Sequence, residues 1–179
     1  MSHSQFIDIE HYRREGYAVV EGVYAADECA AFVEYMLDLH AGRIELEGFG
    51  PRASGEWLRT HNQHWYDPVA RRWLIEPRLE APLRQCLNDE VEGIQTMYFW
   101  VGSEQGRHQD QFYLPGCISA WIALQDVDVG NGAMLVQPGS HRGRLLTGDD
   151  FAAGAEFAGW DYNAAVDVLC ELNGGEQVA

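Results

Sequence analysis

A histidine and an aspartate separated by one residue could together hold a metal ion. They are His108 and Asp110, in the run RHQDQFY at 107–113. If this run is extended, both side chains point to the same face, because successive side chains along a strand alternate. A neutral imidazole and a carboxylate are two of the three ligands of a 2-His-1-carboxylate iron site, which leaves positions open for a chelating co-substrate and dioxygen. The alternative interpretation is a surface histidine and aspartate on an edge strand.

Three short motifs follow this pair along the chain. They are W-x-A-L-x-D at 121–126, N-G-x-M at 131–134 and P-G-S-H-R at 138–142. In this order and at this spacing, the combined pattern resembles the phytanoyl-CoA dioxygenase-like family of iron(II)- and 2-oxoglutarate-dependent oxygenases. The run EGYAVVEG at 15–22, with the helix predicted after it, is similar to the opening of that family. The resemblance therefore covers the chain from about residue 5 to its end.

The resemblance implies an activity and a cofactor set. The expected reaction hydroxylates a small organic substrate, consumes 2-oxoglutarate and dioxygen at iron(II), and releases succinate and carbon dioxide. By the same resemblance, His108 and Asp110 match the first two iron ligands. Related halogenases replace the carboxylate with a small residue so that halide can bind the iron. The carboxylate of Asp110 therefore favours hydroxylation.

Five further residues are candidates for binding the co-substrate or the substrate. Met97 and Trp121 match family positions beside 2-oxoglutarate, although plain core packing explains both equally well. Arg59 lies near a position where the family often has a basic co-substrate contact, but this alignment is loose and a solvated arginine is the simpler interpretation. Gln111 and Tyr113 follow the predicted iron strand and are candidates for facing the substrate.

Three other histidines are given structural roles. His141 is a tempting third ligand, but the family's P-G-S-H histidine is a structural loop residue. His61 and His64 precede the predicted barrel and are interpreted as loop histidines.

The family's third iron ligand is a histidine well downstream of P-G-S-H, and an arginine after it pairs with 2-oxoglutarate. In this sequence no histidine follows His141 and no arginine follows Arg144. We therefore expect that the C-terminal strands of the barrel are missing, leaving an open sheet edge through which the chain could self-associate.

Three explanations fit this absence: a piece of a longer enzyme, which we favour, a partner chain that completes the barrel, or lost catalysis. The alternative function is a non-catalytic binding or assembly domain. A weaker rival is a cupin-type metal protein that uses His141 as a ligand.

Composition excludes several other function classes. There are 28 acidic and 12 basic residues, all of the latter arginine, and the net charge is −16. Without lysine, the chain cannot perform Schiff-base chemistry or form a phosphate-binding-loop lysine contact. The acidic excess argues against nucleic acid or an anionic membrane as the main partner, because binding phosphates needs a basic face.

Cysteine usage and the N-terminal sequence indicate a cytoplasmic protein. The four cysteines are widely separated and are interpreted as free thiols in a reducing compartment. Residues 1–15 do not resemble a signal peptide, and no apolar run is long enough to span a bilayer.

The elements that must position the site are mostly predicted helices in the first half of the chain and mostly predicted strands after it. Periodicity and end signals predict helices that end at Gly16 and that span 27–41, 68–74 and 77–87. Strands are predicted at 17–20, 94–101, 118–125 and 133–137, with a hairpin turn at Asn131-Gly132. Residues 164–172 fit a strand or a helix.

This order predicts a single α+β domain with a mainly β core. The expected fold is a double-stranded β-helix of the jelly-roll or cupin type, flanked by N-terminal helices and lacking its C-terminal strands. The helical part is expected over about 1–92 and the barrel part over about 93–179.

Overall fold

The protein is described by a computed structural model, which covers residues 7–49, 59–100, 105–173 and 177–179. Its helices and strands are α1 (Ile9–Glu15), α2 (Ala26–His40), β1 (Arg59–His61), α3 (Pro68–Leu74), α4 (Pro77–Leu87), β2 (Met97–Phe99), α5 (Asp110–Tyr113) and α6 (Tyr162–Asn173). Single 3-10 turns cover Gln63–Trp65, Ser140–Arg142 and Gly148–Phe151.

The predicted helices are confirmed, and their end signals act as expected. The side chain of Asp8 accepts a hydrogen bond from the His11 N–H at the start of α1, which ends at Gly16 in the left-handed conformation. Helices α3 and α4 both begin with a proline, where a missing N–H costs nothing. The ambiguous segment before the C-terminus is helical, as α6.

The described residues form two compact units that interleave along the chain. Of the described residues, the first contains 7, 20–49, 59–100 and 122–132, and the second contains 8–19, 105–121, 133–173 and 177–179. The helical part expected over about 1–92 and the barrel part expected over about 93–179 stay predictions.

The first unit is held together by aromatic stacking. The ring of Trp73 stacks on Tyr24 at 4.1 Å and on Phe32 at 4.4 Å between centroids, and Phe32 meets the edge of Tyr98 at 5.8 Å. These contacts join α2 and α3 to strand β2. Such pairs contribute about 0.5–1.5 kcal/mol each beyond the apolar area that they bury.

A buried carboxylate ties the same helices together. Asp67 is 1% exposed and accepts hydrogen bonds from the Tyr35 hydroxyl at 3.0 Å, Gln63 Nε2 at 2.6 Å and the Val69 N–H at 2.7 Å. It is the N-cap of α3, and Tyr35 lies on α2. The burial of Asp67 is tolerated because donors surround it.

The second unit has a separate apolar core beneath α5 and α6. Leu146, Phe157, Ala165 and Val166 are each at most 3% exposed. Phe112 of α5 packs against this cluster from the side that carries the His-x-Asp segment. The core therefore supports the candidate site directly.

The predicted strands are only partly present in the described residues. Strand β2 is shorter than the predicted 94–101, and it pairs antiparallel with β1, which no sequence pattern indicated. The predictions of strands at 17–20 and 118–125 are wrong, since neither segment joins a ladder among the described residues. Within 133–137 only an isolated bridge forms, between Val136 and Val178.

The physical reason is that β-branched and aromatic residues favour a strand only where a partner supplies ladder hydrogen bonds. At the predicted hairpin, a turn forms from Asp128 to Asn131 through an N–H to carbonyl bond of 3.1 Å, but no paired strands flank it among the described residues. The double-stranded β-helix and the single-domain organisation stay predictions. Among the described residues, no helix is both long and apolar enough to cross a bilayer.

We predict that Asp67→Ala lowers the free energy of unfolding by at least about 2 kcal/mol, because it removes a helix cap and leaves the buried partners of Asp67 unsatisfied. The matched control is Asp8→Ala, which removes the exposed cap of α1 and should cost about 1 kcal/mol. Urea unfolding measures both. Equal losses for the two variants would contradict the structural role of buried Asp67.

Candidate metal centre

His108 and Asp110 lie side by side in the second unit. Nε2 of His108 is 3.2 Å from Oδ1 of Asp110. The histidine side chain is 25% exposed and the aspartate side chain 48% exposed, so the pair faces solvent. The structure therefore brings together the two residues whose spacing predicted a metal site.

The local backbone differs in part from the predicted extended run. Gln109 between the two residues is extended, with φ −110° and ψ 114°, which directs its neighbours to one side as expected. From Asp110 onward the prediction is wrong, because Asp110–Tyr113 forms the single turn of α5. Packing of Phe112 into the core of the second unit accounts for this turn.

The ring nitrogens of His108 have acceptors on both sides. Nδ1 is 2.9 Å from the carbonyl oxygen of Gly106, which can only accept a hydrogen bond, so Nδ1 carries a proton. Nε2 faces the Asp110 carboxylate, which is also an acceptor when ionised. A neutral imidazole has a single N–H, so with the proton on Nδ1 it is the unprotonated Nε2 that faces the carboxylate.

These atoms fit a metal ion. A histidine that donates one N–H to a backbone carbonyl and directs its other nitrogen away is the usual arrangement of a metal ligand. Two ligands about 2.1 Å from a metal and at right angles to each other are about 3.0 Å apart, which is close to the observed 3.2 Å. His108 Nε2 and Asp110 Oδ1 are therefore suited to adjacent positions on one ion.

A serine that sequence reasoning missed orients the carboxylate. The hydroxyl of Ser119 donates a short hydrogen bond to Oδ2 of Asp110, which leaves Oδ1 directed at His108. The neighbouring side chains of His108 and Ser119 hold the pKa of the Asp110 carboxyl below its usual value, despite its partial burial. The lowered pKa favours the ionised form of Asp110, which is the form that binds metal ions. In the sequence, Ser119 falls within the predicted strand 118–125 that also carries Trp121, and nothing there marks it as a partner of Asp110.

The side chain of Gln109 also holds the His-x-Asp segment in place, through two hydrogen bonds. Its Oε1 accepts a hydrogen bond from the Leu146 N–H at 2.9 Å, and its Nε2 donates to the Arg144 carbonyl at 2.9 Å. Next to it, Arg107 forms an ion pair with Asp167 of α6 at 3.1 Å. The residue between the two ligands is thus fixed to the chain that leads into the apolar core.

Met97 and Arg59 belong to the first unit, and both lie in the small sheet. Met97 is paired with His61 and Arg59 with Phe99, so all four side chains are on one face of the sheet. Met97 is 45% exposed, so it does not fill a core there. Burial and the charge of Arg59 lower the pKa of His61. Contacts of Met97 and Arg59 with 2-oxoglutarate stay predictions.

The other predicted site residues lie in the second unit. The Tyr113 ring is 6.4 Å from the His108 ring and 56% exposed, so it borders the metal-type pair. Gln111 donates from Nε2 to the Cys117 carbonyl at 3.0 Å, which engages its amide locally. Trp121 is 41% exposed. Their roles toward substrate and co-substrate stay predictions.

His141 and His64 take part in local packing. Nε2 of His141 lies 3.1 Å from the Arg13 carbonyl, and its ring packs so closely on Gly16 that a side chain there would collide with it. This contact supports the structural interpretation of His141. Nδ1 of His64 lies 2.9 Å from the Thr96 hydroxyl. Across the described ranges, no third histidine, cysteine, aspartate or glutamate completes a metal-binding group.

Comparisons with known proteins agree with the motifs. The profile of the family described as phytanoyl-CoA dioxygenase (PhyH) matches residues 12–171. The chain is 23% identical over 211 residues to phytanoyl-CoA dioxygenase domain-containing protein 1 of Mus musculus, covering 86% of this chain and 72% of that protein. It is 30% identical over 93 residues to phytanoyl-CoA dioxygenase 1 of Oryza sativa, covering 48% of this chain and 33% of that protein.

Another relative carries a different substrate name. The chain is 26% identical over 149 residues to the ectoine dioxygenase of Bordetella parapertussis, covering 75% of this chain and 48% of that protein. The chain thus spans about a third to a half of the rice and Bordetella proteins. No solved structure gives a significant match. Because the family profile spans most of the sequence and includes the His-x-Asp pair, this chain belongs to the phytanoyl-CoA dioxygenase family.

Proposed function

We propose that the chain carries the His-x-Asp part of an iron(II)- and 2-oxoglutarate-dependent dioxygenase that hydroxylates a small organic substrate. The observation that carries the proposal is the contact of 3.2 Å between His108 Nε2 and Asp110 Oδ1, with Nδ1 directed at a backbone carbonyl. Dioxygenase-named relatives support the reaction class. Their names refer to phytanoyl-CoA and to ectoine, so the proposal goes no further than a small organic molecule.

In this proposal His108 and Asp110 hold the iron, and their surroundings prepare them for it. The Gly106 carbonyl keeps the proton of His108 on Nδ1, which leaves the lone pair on Nε2. Ser119 occupies Oδ2 of Asp110, so Oδ1 is presented beside that lone pair. When bound, iron(II) with 2-oxoglutarate and dioxygen supplies the oxidising power for hydroxylating a C–H bond, releasing succinate and carbon dioxide.

Tyr113 is proposed to border the substrate. Its exposed ring lies on the same side of the segment as the His108 ring and offers an apolar surface beside the two ligands. Gln111 is less suited to direct substrate contact because its amide already donates to Cys117.

A non-catalytic binding or assembly domain is the alternative function. The observation that favours it is that, in the part of the chain that the structure describes, no third histidine, cysteine, aspartate or glutamate joins His108 and Asp110 in a metal-binding group. Two ligands bind a metal more weakly than three. Metal binding therefore discriminates between the two functions.

We predict that the chain binds Co(II), used as a spectroscopic stand-in for iron(II), and that His108→Ala or Asp110→Ala weakens binding by at least about 100-fold. Each substitution removes a direct ligand. An anaerobic titration followed by visible absorption measures this. The matched control is His141→Ala, which breaks the contact with Arg13 and should leave metal affinity unchanged. Absence of binding by the unaltered chain, even with 2-oxoglutarate present, would favour the non-catalytic alternative.

We predict that Ser119→Ala lowers metal affinity by about 10-fold, because Asp110 loses the hydroxyl that orients it. The same titration measures the change. The matched control is Thr147→Val, which removes another hydroxyl-to-carboxylate hydrogen bond, to Asp150. Equal affinities for the two variants would show that Ser119 does not orient the ligand.

We predict that succinate forms from 2-oxoglutarate in the presence of iron(II), dioxygen and a hydroxylatable substrate, and that Asp110→Ala abolishes it. The reason is that the variant lacks one of the two proposed iron ligands. Succinate quantified over a panel of small organic substrates measures the reaction. Succinate formation that survives in Asp110→Ala would refute the ligand role of Asp110.

A further inference from the structure

One tyrosine hydroxyl holds the two peptide groups that join the ligand residues. The N–H of Gln109 donates to the Tyr162 hydroxyl at 2.8 Å, and that hydroxyl donates to the Gln109 carbonyl at 3.3 Å. The N–H belongs to the peptide that links Gln109 to His108, and the carbonyl to the peptide that links it to Asp110. A single group therefore sets the orientation of both peptide planes.

Packing contacts fix the position of the Tyr162 ring. It is the first residue of α6, and its ring stacks on Phe112 at 4.3 Å and meets the edge of Tyr113 at 5.8 Å. It also packs against the apolar core of the second unit. Burial raises the pKa of the Tyr162 hydroxyl, so it keeps the proton that it needs to donate while it accepts.

Asn163, the next residue of α6, also binds the backbone beside His108. Nδ2 of Asn163 donates to the Arg107 carbonyl at 2.7 Å. A side chain at Gly106 would come within 3.1 Å of Cγ of Asn163, so the chain passes closely over the start of the helix. The beginning of α6 therefore holds the backbone on both sides of His108.

We infer that Tyr162 is a positioning residue for metal binding, which holds His108 and Asp110 at the separation that one ion requires. The inference rests on the proposed function, because it assigns Tyr162 a part in that same site. The hydroxyl does not touch the ligand atoms. It acts through the backbone of Gln109, whose two peptide planes determine where the neighbouring side chains point.

The test is Tyr162→Phe, which keeps the stacked ring and removes only the hydroxyl. We expect Co(II) affinity to fall by about 10-fold, as is typical when a group that orients metal ligands is lost. The visible absorption bands of bound Co(II) should shift because the ligand geometry relaxes. Without metal, the Gln109 amide should exchange its hydrogen faster, because it loses its acceptor.

The matched control is Tyr35→Phe. It also removes a partly buried tyrosine hydroxyl bond, to Asp67, but in the first unit. We expect it to lower thermal stability without changing Co(II) affinity or the absorption bands. An equal loss of affinity in both variants would show a general effect of destabilisation and would overturn the inference.

The remaining outcomes separate this inference from the proposed function. Tight Co(II) binding by the unaltered chain together with unchanged affinity and spectrum in Tyr162→Phe overturns the positioning role alone. Absence of Co(II) binding by the unaltered chain overturns the proposed function and, with it, the positioning role. Weaker binding and shifted bands in Tyr162→Phe, with Tyr35→Phe unchanged, support both.

Discussion

The backbone around His108 and Asp110, the two proposed ligands, must form hydrogen bonds although, within the described ranges, no strand runs beside it. Side chains satisfy it instead: His108 donates to Gly106, Asn163 to Arg107, and Tyr162 exchanges two bonds with Gln109. A partly buried peptide group left without a partner costs about 1–3 kcal/mol. The same bonds constrain the backbone that carries the imidazole and the carboxylate, so they contribute both to local stability and to the geometry of the proposed site.

In the first unit, a buried carboxylate must also find hydrogen-bond partners. Asp67 is almost fully buried, and three donors surround it. In Asp110, Oδ2 accepts a hydrogen bond from the Ser119 hydroxyl and Oδ1 lies beside His108. The side chain is about half exposed. Because three donors bind its buried carboxylate, Asp67 has a structural role. Because the side chain of Asp110 is half exposed and Ser119 binds only Oδ2, Oδ1 is suited to the proposed metal ion.

Much of the helical structure and one central feature of the site could be predicted. Proline at the start of α3 and α4, and glycine after α1, act through the conformation of a single residue and its neighbours, so sequence reveals them. The closeness of His108 and Asp110 was predictable because only one extended residue separates them. The strands were not, because a strand depends on a partner that may be distant: Arg59 pairs with Phe99.

The amino-acid sequence by itself determined the family, the two ligand candidates and the ends of the helices, because motifs and end signals depend on residues close together in the chain. Only the tertiary structure decided that Asp110 begins a helical turn, that Ser119 occupies one of its oxygens, and that Tyr162 holds the backbone between the ligands. Tyr162 is 53 residues from Gln109. Contacts across such a distance follow from how α6 packs on the core of the second unit, and no local pattern encodes them.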